Sequence, residues 1–456
     1  MSRLKTGAIE RDIALTRLGL GAGTQIAAHS FFNVFRSAAG REAANRDFYE
    51  RQARVLADQL GQLKGGVMKA GQMLSLYGQY FLPPEAVAVL SELQDSTQPV
   101  DWAVVEPVLE RAIGRARMAE LDIDPAPIGA ASLGQVHCAY RKSDGLKLAV
   151  KIQYPGVAAA IDSDVNSLSK VVMFTRIAPK GLNLIPVFSE VREMLHREVD
   201  YVAERHFTQD YCRRLGPDLR FVVPRVLERY SGPEVLTTTF EEGVSVRDPS
   251  VQALPQARRD RLGRTMVELF LTEFLVWHQV QSDPHFGNYR FRLGMAKDGS
   301  EDRIVLLDFG ATRTFKPEFV RRYAGIVSGA VARDRGRILD GAAGIGLMHE
   351  NFPADVLDGF VRMCELIVEP FNDHARDGTP PELLNAKGEY CWGRSDLVVR
   401  VGNVAARNAL SRYFRIPPRE IIFLHRRLAG VFVLCTVLNA EFNARDMLLA
   451  ALDKAR

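Results

Sequence analysis

The sequence predicts an α+β chain of two unequal lobes, a mixed one and a mostly helical one, preceded by a helical extension; three observations support this. Between Ile128 and Gln153, and again between Pro224 and Phe240, apolar and β-branched runs broken by turn residues read as strands. From Asp47 to Leu76, and after Pro317, apolar residues recur at spacings of three and four, the period of an amphipathic helix. At 456 residues the chain is also too long for one small core. On this reading residues 1–115 form the extension, 116–243 the mixed lobe and 244–456 the helical lobe.

Composition narrows the class. Hydrophobic residues make up 47% and charged residues 25%, ordinary values for a globular protein. A net charge of +4 is too weak to imply a nucleic-acid partner, while contact with an anionic lipid surface stays open. Five cysteines (Cys138, Cys212, Cys364, Cys391, Cys435) lie scattered without a C-x-x-C pair, which argues for a reducing compartment and against a disulfide framework or zinc site. Ile13–Phe35 is interrupted by Arg17, Gln25, His29 and Asn33, and Leu428–Leu438 is only eleven residues long, so neither reads as a membrane span. Glu10, Arg11 and Asp12 stand where a cleaved signal would need apolar residues. The expectation is a cytoplasmic protein, with peripheral membrane association left open. Gly19-Leu20-Gly21-Ala22-Gly23 has no preceding strand and reads as helix packing, not as a nucleotide loop.

In chain order, Leu56, Leu60, Leu63, Val67, Ala70 and Leu74 form one helical stripe, with Gly65, Lys69 and Gln72 on another face. Gly71, costly inside a helix, points to a close packing contact. A turn at Pro83-Pro84 leads to another amphipathic helix, Glu85–Leu93. Gly129-Ala130-Ala131-Ser132 reads as a small-residue loop able to approach phosphates closely, followed by strands either side of Ser143-Asp144-Gly145. Lys151 lies in the second strand. A lone strand lysine is usually solvated, but the preceding loop makes it a candidate phosphate ligand. Phe188, Val191, Leu195, Val199 and Val202 suggest one continuous helix carrying Glu198, Asp200 and Glu204. On it Asp200 and Glu204 would share a face, with Glu198 about 120° from Glu204. Two strands are expected at Arg225–Tyr230 and Glu234–Phe240, a break at Glu241-Glu242-Gly243, and a long helix over Ala257–Val280.

Gln281–Gly310 carries the chemistry. Asp283-Pro-His-Phe-Gly-Asn288 must be a loop, because Pro284 and Gly287 interrupt regular structure. Asp308-Phe309-Gly310 follows the apolar run Ile304–Leu307 and so leaves the end of a buried strand, with a hairpin expected between the two clusters. Asp, Asn five residues on, then Asp-Phe-Gly is a phosphoryl-transfer arrangement: Asp283 orients or deprotonates the attacking oxygen, while Asn288 and Asp308 offer hard oxygens to Mg²⁺. No A-P-E follows, and helical pattern resumes after Pro317, which argues against an extended peptide substrate.

These motifs resemble those of the UbiB/AarF/ADCK family of atypical protein-kinase-like proteins, over roughly residues 50–330. Lys69-Ala70-Gly71-Gln72 is similar to its K-x-G-Q signature, Glu198-Val199-Asp200 to its E-x-D signature, and Ala149–Gly156 to its strand lysine; Asp283–Asn288 and Asp308–Gly310 resemble its active-site loops. The resemblance implies a two-lobed protein-kinase-like fold that binds ATP with Mg²⁺ and serves ubiquinone or other lipid metabolism. It also places Lys69 on the substrate side near Glu198, leaving Glu204 to pair with Lys151. Where the family has A-A-A-S, this chain has Gly129, a departure that bears on nucleotide preference and on restraint of autophosphorylation. The implied partners are ATP and an isoprenoid, quinone-precursor or other small molecule; dimerisation stays open. A nucleotide-gated binding module with negligible turnover, and a small-molecule kinase of the aminoglycoside or choline type, remain the alternatives.

Overall fold

The computed structural model describes residues 99–130, 133–175, 184–295, 300–409 and 417–455, together with Ala70 and Met73. Two compact units emerge, one of Met1–Arg205 with Val226–Phe240, the other of His206–Arg225 with Glu241–Arg456.

The first unit is built on an antiparallel sheet ordered β1 (Leu121–Ala130), β2 (Gly134–Arg141), β3 (Lys147–Gln153) and β5 (Val235–Thr239), β4 (Phe221–Val222) lying in the other unit. In β3, Leu148, Val150 and Ile152 are fully buried against Val105, Leu109 and Ile113 of helix α1 (Trp102–Ile113). Strand alternation therefore turns Lys151 to the opposite face.

Several expectations are corrected here. β1 runs through Pro125 and Pro127 to Ala130, so Gly129 and Ala130 close a strand instead of forming a loop. An edge position, with register shifts at the prolines, accommodates their missing N–H groups. The expected strand Arg225–Tyr230 reduces to one bridge, Val226 to Thr238, and a 3₁₀ turn, Glu228–Tyr230. Tyr230 turns back to bury its ring and donate its hydroxyl to Glu120 at 2.7 Å. The single helix expected across Glu198–Glu204 is two helices, α2 (Ile185–Glu198) and α3 (Tyr201–Leu215). Asp200 breaks it: its Oδ1 accepts from Ala203 N at 2.9 Å, an N-cap, so the 120° estimate relating Glu198 to Glu204 does not hold.

In the second unit, helix α4 (Gln256–Leu271) passes into a π-helical turn, Thr272–Val276, and then strand β6 (Gln279–Gln281), where one helix to Val280 was expected. The consecutive residues Glu273, Phe274 and Leu275 of this turn are all buried, and His278 at φ 54° redirects the chain. β7 (Tyr289–Arg292) and β8 (Arg303–Leu306) form the expected hairpin, with β4 (Phe221–Val222) parallel to β8. β6 pairs with β9 (Thr312–Thr314), and helix α5 (Pro317–Ala332) follows. Helix α6 (Arg419–Val437) packs into the same core. Among the described residues no helix is long and apolar enough to cross a membrane.

Candidate active site

In the first unit Lys151 Nζ stands 2.8 Å from both carboxylate oxygens of Glu204. Glu204 is nearly fully buried and Lys151 is half-buried, with the ammonium 4.9 Å from the centre of the Tyr201 ring. The helix break places Glu204: Gln153, at the end of β3, donates its side-chain amide to Val199 O at that break. Gly134 at the start of β2 is needed for close approach, since a Cβ there would lie 2.6 Å from Ile152 O and 2.8 Å from the Tyr201 hydroxyl. Glu198 ends α2, half-buried. Lys69, Gly71, Gln72, Ala131 and Ser132 lie outside the described residues; Ala70 and Met73 are helical and buried.

In the second unit Asp283 is held from two sides. Asn288 Nδ2 donates to its Oδ2 at 2.8 Å, and Arg426 Nη2, from α6, donates to its Oδ1 at 2.7 Å. Gln281 joins this loop to the next: its Oε1 accepts from Asp283 N at 3.0 Å and its Nε2 donates to Asp308 O at 3.2 Å. Leu307 N donates to Asn288 O at 3.0 Å, and Asp308 Oδ1 accepts from Gly310 N at 2.8 Å. The β7–β8 hairpin thereby brings Asp308 back to the Asp283–Asn288 loop, giving one hydrogen-bonded set.

Beneath the set is a buried network. Arg427 and Glu273 pair at 3.0 Å, both almost fully enclosed; Tyr211 donates to Glu273 at 2.8 Å, and Arg427 donates to the Tyr289 hydroxyl. Burial pushes the Tyr289 phenol up to about 12 and Tyr211 well above its usual value, so both stay protonated donors. Phe309, 1% exposed, packs 4.6 Å from the Tyr211 ring.

The face of α6 toward these loops was not anticipated. Phe423 lies under the Arg313 guanidinium at 3.3 Å, Arg426 reaches Asp283, Arg427 enters the buried network, and Gly430 abuts Pro284, where a Cβ would lie 2.0 Å from that of the proline. A signal existed: adjacent arginines inside the apolar run Ile421–Leu438 require buried partners.

Asn288 and Asp308 offer only an amide and a carboxylate oxygen, donors that suit Mg²⁺ completed by phosphate oxygens and water, and do not suit a soft metal. Among the described residues no cluster of three His, Cys, Asp or Glu suggests another metal centre.

The ABC1 atypical kinase-like domain matches residues 92–341. Atypical kinase COQ8, mitochondrial, of Schizosaccharomyces pombe is 30% identical over 399 residues, 87% of this chain and 62% of that protein. Its namesake in Saccharomyces cerevisiae is 29% identical over 452 residues, 98% of this chain and 85% of that protein. The chain thus spans less than two thirds of the first relative's length. The solved complex of Rv3197 with erythromycin from Mycobacterium tuberculosis shares the fold at TM-score 0.56 and 24% identity, covering 89% of this chain and 97% of that one. These likenesses bear out the two-lobed kinase-like architecture and the motif resemblance, and the chain belongs to the ABC1 family of atypical kinase-like proteins, the UbiB/AarF/ADCK family whose motifs it carries.

Proposed function

We propose that the chain binds ATP with Mg²⁺ and transfers or hydrolyses the γ-phosphoryl group in support of isoprenoid-quinone or other lipid metabolism. The observation that carries this reading is the Gln281-bridged set in which Asn288 orients Asp283 beside the Asp308 loop. Asp283 orients the attacking oxygen and takes its proton. Lys151, held by Glu204, directs a fixed positive charge at the α/β-phosphates. Asn288 and Asp308 would hold Mg²⁺, which when bound neutralises charge on the phosphate oxygens. Lys69, with Glu198 as its partner, restrains the site against peptide substrates, and Gly129 and Ala130 with Ala131 and Ser132 border the nucleotide. Only six residues separate Gly310 from Pro317 at the start of α5, a run too short for a peptide platform. The acceptor is therefore a small or lipidic molecule, or water, and Ile13–Phe35 is the segment proposed to touch a bilayer.

The test is ADP release from MgATP, with and without anionic liposomes and a quinone-precursor mimic. Turnover stimulated by either, and lost in Asp308→Asn, supports the reading; binding without turnover favours a nucleotide-gated module, and turnover dependent on a soluble alcohol a small-molecule kinase.

A further inference from the structure

Both oxygens of Asp283 are engaged, and unequally. Oδ2 accepts from Asn288, five residues away on the same loop, whereas Oδ1 accepts from Arg426, which is 143 residues away in sequence and outside the matched domain of residues 92–341. Asn288 holds Oδ2, and Arg426 sits on Oδ1, the oxygen assigned here to take a proton from an acceptor hydroxyl. The contact is built in by α6: Gly430 admits Pro284 at a distance no side chain would allow, Arg427 is locked to Glu273, and Phe423 is capped by Arg313. Arg426 and Asp283 are each 29% exposed, so this guanidinium, unlike that of Arg427, can exchange partners with a solute.

We propose that Arg426 gates Asp283 and selects the acceptor: it blocks Oδ1 until an acceptor carrying an anionic group beside its hydroxyl draws the guanidinium away. This rests on the reading of Asp283 as the base. In the step itself the acceptor O–H proton passes to Asp283 Oδ1 and the acceptor oxygen forms a bond to the γ-phosphorus. The bond from that phosphorus to the bridging oxygen breaks, and ADP leaves with the electron pair. An acceptor without an anion leaves Arg426 in place and reacts slowly. Water is such an acceptor, so slow hydrolysis is the default state of the site. Arg426 is a positioning residue, acting through Asp283.

The experiment compares wild type, Arg426→Gln, Arg426→Lys and Asp283→Asn as full-length chains, measuring kcat and KM for ATP in ADP release, alone and with glycerate or glycerol at equal concentration. The gate predicts that Arg426→Gln raises water-driven kcat several-fold with KM for ATP unchanged, that Arg426→Lys stays near wild type, and that glycerate stimulates wild type more than glycerol does, a difference lost in Arg426→Gln. A fall in kcat in Arg426→Gln, or equal responses of wild type to the two additives, overturns the gate. Asp283→Asn separates the two ideas: if it turns over as fast as wild type, the base assignment fails and the gate with it, whereas a slow Asp283→Asn beside an inactive Arg426→Gln sinks the gate alone.

Discussion

Lys151 on β3 and Glu204 on α3 are 53 residues apart and meet through two 2.8 Å contacts, one to each carboxylate oxygen. The pair fixes the ammonium's direction from a face of the sheet that the buried side chains of β3 leave open. Glu204→Gln and Lys151→Met each remove a charge-assisted contact, and each is expected to weaken MgATP binding by about 2 kcal/mol, roughly 30-fold. Calorimetric titration of the two variants checks this, with equal losses expected because one residue acts through the other.

Gly430→Ala tests the seat of α6. In an exposed helix this change would stabilise by about 1 kcal/mol. Here the new methyl would lie 2.0 Å from Pro284 Cβ, and overpacking of that kind costs about 1–3 kcal/mol, so the expected sign is reversed. A lower midpoint of chemical denaturation, together with reduced ATP turnover because the Asp283 loop is displaced, is the predicted result.

Asp200 separates a structural role from a chemical one. As the N-cap of α3 its loss in Asp200→Ala is expected to cost about 1 kcal/mol, while Asp200→Asn, an equally good cap, should cost little. If nucleotide turnover falls in the Asn variant at unchanged stability, the carboxylate has a chemical role beyond capping.

His425 provides a pH dependence. Burial lowers its imidazole to about 4, and Nε2 lies 2.8 Å from the Tyr323 hydroxyl. In the unfolded chain a histidine titrates near 6.5, so between about 4 and 6.5 the unfolded state binds more protons and stability falls as the solution is acidified. The contribution is complete above about 6.5 and largely lost by about 4; its ceiling is about 3 kcal/mol, reduced by the ring's partial exposure. Denaturation midpoints at pH 4.5 and 7.5 should therefore differ less in His425→Phe than in wild type.

The legible parts of this molecule are those in which function or burial leaves a local pattern. The α+β two-lobed class, the β7–β8 hairpin and the strand preceding Asp308 follow from alternation, turn residues and one apolar run. The end of edge strand β1 was not legible, because the small residues from Gly129 read as a loop, while Pro125 and Pro127 within the strand are accommodated by its place at the edge of the sheet. The break at Asp200 was hidden because the apolar stripe continues in phase from α2 into α3, so only the capping geometry reveals it. Arg426 and Gly430 were invisible as partners of the Asp283 loop for a different reason. Their contacts join segments more than 140 residues apart, and local spacing carries no information about such pairings.

Mg²⁺-dependent chemistry on ATP at the Asp283, Asn288 and Asp308 set is tested by ADP release alongside calorimetric nucleotide titration, with and without Mg²⁺, in wild type and Asp308→Asn. Wild type is expected to show Mg²⁺-dependent binding and turnover, and Asp308→Asn to lose that Mg²⁺ dependence with turnover down on the order of 100-fold. Equal Mg²⁺-dependent binding and equal ADP release in the two proteins would contradict it.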